Sequence, residues 1–119
     1  MPKFMLLMLE DPHSEYPEGE PQEMMQKMGK FAGELAQKGQ MVEGSPLETI
    51  RDAARVRLEG ETRHVTDGPF AETKEMISGY FVIEAADRNE AIEIAKRVPA
   101  LEVGAVEVRQ IMEVGGPPA

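Results

Sequence analysis

The stretch FMLLML, residues 4–9, is apolar at every position. Successive side chains of a strand point to opposite faces of a sheet, so a strand made of these residues has no face that suits water. The stretch YFVI, residues 80–83, shows the same pattern. The two stretches therefore predict two strands that are covered on both faces, and they decide the architecture around which the other segments are arranged.

Two further segments have the periodicity of helices. The first runs from Gln22 to Gly39, because a glycine favours the end of a helix, and its apolar residues recur at helical spacing at Met24, Met28, Phe31, Ala32 and Leu35. The second begins with a capping box formed by Asp87 and Glu90 and ends at Pro99. Its buried stripe is expected to consist of Ala91, Ile92, Ala95 and Val98.

The remaining strands are predicted from alternation along the chain. Residues 54–59 alternate between charged and less polar side chains, and they can pair as a hairpin with residues 62–66 through a turn at Gly60. Residues 106–112 alternate in the same way, whereas residues 44–52 are predicted to form a loop. The order strand, helix, strand pair, strand, helix, strand predicts an α+β fold, a ferredoxin-like antiparallel sheet with two helices on one face.

Length and composition restrict the organisation further. The 119 residues suffice for a single domain, residues 1–119, with a flexible tail at about residues 113–119. The absence of cysteine excludes disulfides and thiolate metal sites. The apolar run at residues 4–9 is far shorter than the roughly 20 residues that cross a bilayer. It also lacks the flanks of a signal peptide, so we expect a cytoplasmic protein that does not contact membranes.

The charge balance argues against several classes of partner. The chain carries 22 acidic and 13 basic residues, a net charge of −9, which disfavours direct binding to nucleic acid. His13 lies near Glu10, Asp11 and Glu15 in a segment rich in carboxylates. These side chains cannot share a helix face and a proline interrupts them, so we expect no metal site and no cofactor.

The second face of the predicted sheet needs a cover. The helices occupy one face, and the polar segments 10–23 and 44–52 can shield only part of the other. A second copy of the same sheet is the simplest way to cover the remaining apolar side chains. The sequence therefore predicts a homodimer.

The run VTDGPFAETKE, residues 65–75, resembles the signature of the DGPF branch of the YCII-related family. The start KFMLL, residues 3–7, and the end VEVR, residues 106–109, extend the resemblance over nearly the whole chain. The resemblance implies a dimeric α/β-barrel, a bacterial origin and a genetic association with extracytoplasmic-function sigma factors. It also implies small-molecule chemistry, because members of the wider superfamily act on aromatic or polyketide-like molecules, often without a cofactor.

The chain departs from one feature of its relatives. YCII-related proteins outside the DGPF branch carry a proposed acid–base dyad, a His near the start of the first helix and an Asp in an Asp-Pro pair at the end of the second. This chain has residues 21–23, PQE, at the first place and Val98-Pro99 at the second. The resemblance therefore does not supply catalytic residues, and fold alone cannot supply them either.

Asp67 and His64 are the candidate catalytic residues. Asp67 precedes Gly68, so it either bonds to the backbone of its own turn or acts as a general base beside the sheet. His64 lies at the end of a predicted strand, where it is either an exposed side chain or a proton-transfer group.

Four further residues are candidates for contacts with a substrate. Glu72 and Lys74 form either an ion pair that stiffens the loop or the acid and cation of a pocket. Phe70 either anchors the loop to the core or contacts a ligand. Arg109 faces the side of the sheet opposite to Val108, where it can bind an anion or pair with a neighbouring carboxylate.

These residues support two hypotheses about function. The first is a small-molecule-binding protein or cofactor-independent enzyme, with a pocket between sheet and helices beside the loop at residues 66–75. The second is a non-catalytic regulatory protein that is associated with a sigma factor and uses this loop as a protein contact. The nine methionines are interpreted as an adaptable core.

Overall fold

The computed structural model describes residues 1–11, 20–48, 50–68 and 74–114. Short 3₁₀ turns lie at Ile50–Asp52 and Pro99–Glu102. The strands and helices follow in the order β1 Lys3–Glu10, α1 Glu20–Gln37, β2 Met41–Pro46, β3 Ala54–Glu59, β4 Thr62–Asp67, β5 Met76–Glu84, α2 Arg88–Ala95 and β6 Gly104–Gln110.

Four of the strands form one antiparallel sheet in the order β2-β5-β1-β6. The predicted strands at residues 4–9 and 80–83 form as parts of β1 and β5, which lie at its centre. The register places Leu6 between Phe81 on one side and Val108 on the other. The prediction of a ferredoxin-like α+β fold is confirmed.

The core lies between the sheet and the helices. From β1 the side chains Phe4, Leu6 and Met8 face it, and α1 contributes the stripe that its spacing predicted, with Phe31 and Leu35 fully buried. The rings of Phe31 and Phe81 meet at 5.9 Å between centroids and 45° between planes, which joins α1 to the central strand β5.

Helix α2 begins as the capping box predicted. The Asp87 carboxylate accepts a hydrogen bond from the Glu90 amide at 2.8 Å, and the Glu90 carboxylate accepts one from the Ala86 amide at 2.9 Å. The predicted stripe is wrong at one position, because Ile94 is buried where Ile92 was expected and Ile92 is only half-buried. The side chain at position 94 lies on the same helix face as Ala91 and Ala95, while position 92 is turned away from it.

The prediction of a loop at residues 44–52 is wrong for its first part, because β2 extends to Pro46 and pairs with β5. Gly44 is required in this strand, since a Cβ at that position would overlap the ring of Phe81. Proline at the end of an edge strand costs no ladder hydrogen bond. Residues that are typical of a turn therefore form an edge strand, which completes the sheet.

The predicted hairpin forms, but it is not part of the main sheet. Strands β3 and β4 make a separate two-stranded sheet, with Val56 paired to Val65 across it. The turn between the strands contains Gly60 at a φ of +61°, a conformation that favours glycine. Val56, Leu58 and Val65 remain 62%, 62% and 66% exposed, so the hairpin carries an apolar stripe that the described chain does not cover.

The face of the main sheet that points away from the helices is here called the open face. One row across it consists of Ser45, Tyr80, Leu7 and Glu107, and the next of Glu43, Val82, Met5 and Arg109. Met5, Leu7 and Leu9 are half-buried and Ile77 is exposed. In the part of the chain that the structure describes, no helix is long and apolar enough to cross a membrane.

Candidate functional site

A cavity of about 230 Å³ lies between α1 and the sheet. Its wall is mostly apolar and unusually rich in methionine: Met8 comes from β1, and Met24, Met25 and Met28 come from α1. The ring of Phe81 and the small residues Gly44 and Gly79 complete the sheet side. Methionine side chains are flexible and polarisable, so this wall can adapt to the shape of a guest.

Glu10 is the one ionisable side chain among the described residues that line this cavity. It is the last residue of β1 and shares the parity of Leu6 and Met8, so it lies on the helix-facing side of the sheet. It lies at the end of the sheet, opposite Met76 on β5 and Gly104 on β6. Even so, only 6% of its surface is exposed. A carboxylate in such a position is costly to bury unless polar groups meet it.

One hydroxyl group adds to the polar part of the wall, that of Ser78 on β5. The Ser78 hydroxyl donates a hydrogen bond to the Met8 carbonyl at 3.4 Å, a long contact that leaves the oxygen able to accept another donor. Ser45 of β2 also lines the cavity, but its register with Tyr80 places its side chain on the open face. The cavity therefore combines a largely apolar wall with one acid and one hydroxyl.

An ion pair joins α1 to the 3₁₀ turn at Pro99–Glu102. The Lys27 ammonium lies 3.1 Å from both carboxylate oxygens of Glu102, and the 3₁₀ turn that contains Glu102 also supplies Ala100 to the wall. Both partners are about half exposed, so the pair contributes no more than about 1 kcal/mol. Its effect is to fix where α1 sits over this turn.

The predicted catalytic residues lie on the hairpin and do not line the cavity. Asp67 is exposed at the end of β4, where it pairs across the hairpin with Ala54. His64 is also exposed, and its Nε2 lies 3.5 Å from an oxygen of Glu59, an ion pair only when the imidazole is protonated. The Gly68 amide donates to the Ala53 carbonyl at 2.7 Å, which continues the hairpin ladder one residue beyond the pair Ala54–Asp67.

The predicted substrate contacts are not brought together among the described residues. Lys74 is exposed two residues before β5, and Arg109 lies on the open face beside Met5. Phe70 and Glu72 lie outside the described residues. None of the described residues of the loop at 66–75 lines the cavity, whose wall meets this part of the chain at Ser78. The roles assigned to these side chains stay predictions.

Glu10 is the polar residue of the site that sequence reasoning missed. It directly precedes an acidic segment, and the apolar residues 4–9 do not show which face of β1 it joins. Of the four residues considered for a metal site and rejected, His13 and Glu15 lie outside the described residues. Among the residues that the structure does describe, no three His, Asp or Glu side chains are grouped to hold a metal ion.

The open face carries a polar pair of its own. The Tyr80 hydroxyl donates a hydrogen bond to the Glu43 carboxylate at 2.8 Å. This bond, with the negative charge of Glu43, raises the pKa of Tyr80 above its usual value of 10.0. The pair lies on the side of the sheet away from the cavity, so it does not contribute to the cavity wall.

The fold and the cavity together define a ferredoxin-like α+β protein with an internal space beneath its first helix. The chain belongs to the YCII-related family, whose domain model matches residues 2–115. It is also similar to an uncharacterized protein of Rhizobium meliloti (strain 1021), at 37% identity over 82 residues. That match covers 67% of this chain and 61% of the relative, so the chain spans about three fifths of the length of the curated protein it matches. Membership of the DGPF branch stays a prediction.

Proposed function

We propose that this protein binds a small, largely apolar molecule in the cavity between α1 and the sheet. The observation that carries the proposal is the cavity itself, about 230 Å³ beside a core of buried apolar side chains. Protein interiors contain few voids larger than a water molecule. An apolar cavity of roughly 150 Å³ is already large enough to hold benzene.

A catalytic form of the proposal needs an acid or base, and Glu10 can supply it. General acid–base catalysis depends on a positioned group within hydrogen-bond reach of the substrate and screened from water. Glu10 is buried on the cavity wall and lies on a rigid central strand. We therefore place any cofactor-independent reaction at Glu10, with Asp67 and His64 outside the cavity.

Two glycines of α1 offer a matched pair of variants to test binding. A Cβ at Gly29 or at Gly33 would meet no atom within 4 Å, but only Gly29 is among the residues that line the cavity. Gly29→Leu should therefore fill the mouth of the cavity, whereas Gly33→Leu places the same side chain one turn further along the helix. Both variants should fold, since leucine favours helix more than glycine does.

The experiment is a thermal-shift screen of small aromatic compounds on the wild type and both variants. Compounds that bind in the cavity should stabilise the wild type and Gly33→Leu equally and should not stabilise Gly29→Leu. Asp67→Ala should respond like the wild type, because Asp67 does not line the cavity. Equal stabilisation of both leucine variants would place binding elsewhere and contradict the proposal.

We also propose that a second copy of the chain covers the open face. Met5, Leu7 and Leu9 form the central row of this face along β1 and remain partly exposed. Half-exposed apolar rows across a sheet are typical of surfaces that pair with another copy. Light scattering at micromolar concentration tests this proposal, since a monomer would contradict it.

The second candidate function is a protein contact, with a sigma factor as the partner that the family resemblance implies. The apolar stripe of the hairpin, formed by Val56, Leu58 and Val65, favours it. If the stripe binds a sigma factor of the extracytoplasmic-function class, the purified proteins should co-elute, and Val56→Asp should separate them. No co-elution of the wild-type chain would contradict this function and leave the cavity proposal unaffected.

A further inference from the structure

We infer that the cavity selects compact aromatic molecules that carry a cationic or N–H-donating head group, with Glu10 as the acceptor. The inference rests on the proposed binding function and adds the chemical class of the ligand. It follows from three features of the wall: the sign of its charge, the nature of its apolar surface and its size.

The charge of the wall favours a cation over an anion. Glu10 is the ionisable residue of the described lining, and the chain as a whole carries a net charge of −9. A carboxylate that is 6% exposed interacts more strongly with a nearby charge than one in water does, because the surroundings screen it less. An anion placed beside Glu10 would meet like charge with no lysine or arginine among the described lining residues. An amine or amidine would instead meet an opposite charge there, in addition to the contacts that Glu10 has within the protein.

The geometry of acceptors supports the same class. A carboxylate has two oxygens and about four acceptor positions, so Glu10 can receive a ligand N–H in addition to its contacts within the protein. The hydroxyl of Ser78 also lies on the wall and can accept a further N–H group. A planar head group with several donors matches this set better than a group that can only accept.

The apolar wall suits an aromatic body. Four methionines and Phe81 line the cavity together with the acid. Thioether sulfur makes favourable contacts with aromatic rings, worth about 0.3–1.5 kcal/mol each. A volume of about 230 Å³ lies near the lower end of ligand sites, so one or two fused rings fit and larger molecules do not.

The test uses three probes of nearly equal shape: benzamidine, benzamide and benzoate. Their affinities for the wild type are measured by calorimetric or NMR titration at fixed ionic strength. We expect benzamidine to bind about tenfold more tightly than benzoate, with benzamide between them. In Glu10→Gln this preference should fall to about twofold, because the substitution keeps the shape of the side chain and removes its charge.

The matched control is Glu43→Gln, the same substitution at a carboxylate on the open face. It should leave the preference for benzamidine unchanged. If benzoate binds as tightly as benzamidine in the wild type, and Gly29→Leu abolishes both, the inference is overturned while the cavity proposal stands. If none of the three probes binds at millimolar concentration, the proposed function fails as well. If Glu10→Gln does not fold, the affinities of benzamidine and benzoate for the wild type decide whether the inference holds.

Discussion

The substitution Leu7→Glu tests the assembly that the open face implies. Leu7 lies at the middle of this face, between Tyr80 on β5 and Glu107 on β6. A glutamate there places a charge in a half-buried apolar row and adds a second carboxylate beside Glu107. In a two-fold symmetric dimer each substitution is present twice at the same interface, so its effect is doubled.

The surface area of the chain shows that there is room for a dimer interface, and the cost of burying a charge gives the expected change in the dissociation constant. A compact monomer of 13.2 kDa is expected to expose about 6,400 Å². The chain exposes 8578 Å², about 2,200 Å² more, part of which belongs to the exposed hairpin, and a standard interface needs about 800 Å² from each partner. Burying a charge in place of a central anchor costs about 2–4 kcal/mol, so the dissociation constant should rise roughly 30- to 1,000-fold.

Sedimentation equilibrium over a range of micromolar concentrations measures this change. The wild type should be a dimer and Leu7→Glu largely a monomer with an unchanged circular dichroism spectrum. Met25→Glu is the control, because Met25 is 57% exposed on α1, which covers the other face of the sheet. A monomeric wild type would refute the reasoning, and so would dissociation by Met25→Glu with Leu7→Glu still dimeric.

Three further predictions concern stability and ionisation. Asp87→Ala removes the cap of α2 and should lower the free energy of unfolding by about 1 kcal/mol in thermal denaturation; an unchanged midpoint would contradict the capping role. Gly33→Ala should raise that free energy by roughly 0.5–1 kcal/mol, because the position is inside α1 and open to a Cβ, and a loss of stability would show a contact there. Glu43→Gln, in a Tyr16→Phe background, should lower the pKa of Tyr80 toward its usual value of 10.0 in an ultraviolet titration. Because the folded-state pKa of Tyr80 is raised, the stabilisation by its hydrogen bond to Glu43 is present below pH 10.0 and is lost as the pH rises through that pKa. Equal titration curves with and without Glu43→Gln would refute this prediction.

The parts of the fold that depend on local pattern could be predicted from the sequence. The apolar stretches of β1 and β5 predict two strands, and both strands form at the centre of the sheet. The cap formed by Asp87 and Glu90 is equally local, as its hydrogen bonds join residues three and four positions apart. Such features need no knowledge of the rest of the chain.

The edge strand β2 could not be predicted in this way. Gly44, Ser45 and Pro46 are all typical of turns, and their local preference is for a loop. They form a strand because β5 offers an unpaired edge and because Phe81 occupies the space that a side chain at Gly44 would take. This pairing joins residues more than 30 positions apart, so it is a tertiary effect.

The candidate site shows the same division. The motif at residues 65–75 carried the resemblance to the family, yet its described residues Asp67 and Lys74 are exposed and lie outside the cavity wall. Glu10 carries the acidic part of that wall, and the sequence could not place it inward, because the apolar residues 4–9 make the two faces of β1 alike. The cavity itself depends on how far α1 stands from the sheet, which no spacing in the sequence reports.

The methionine methyl groups offer the most direct measurement of the central claim, that the cavity beneath α1 binds a small aromatic molecule. Nine methionines are present, and four of them, Met8, Met24, Met25 and Met28, line the cavity. In a sample labelled at the methionine methyl groups, benzamidine should shift the NMR signals of these four. Met5 on the open face and the exposed Met112 should not shift. Shifts confined to Met5 or Met112, or no shifts at all, would contradict the account.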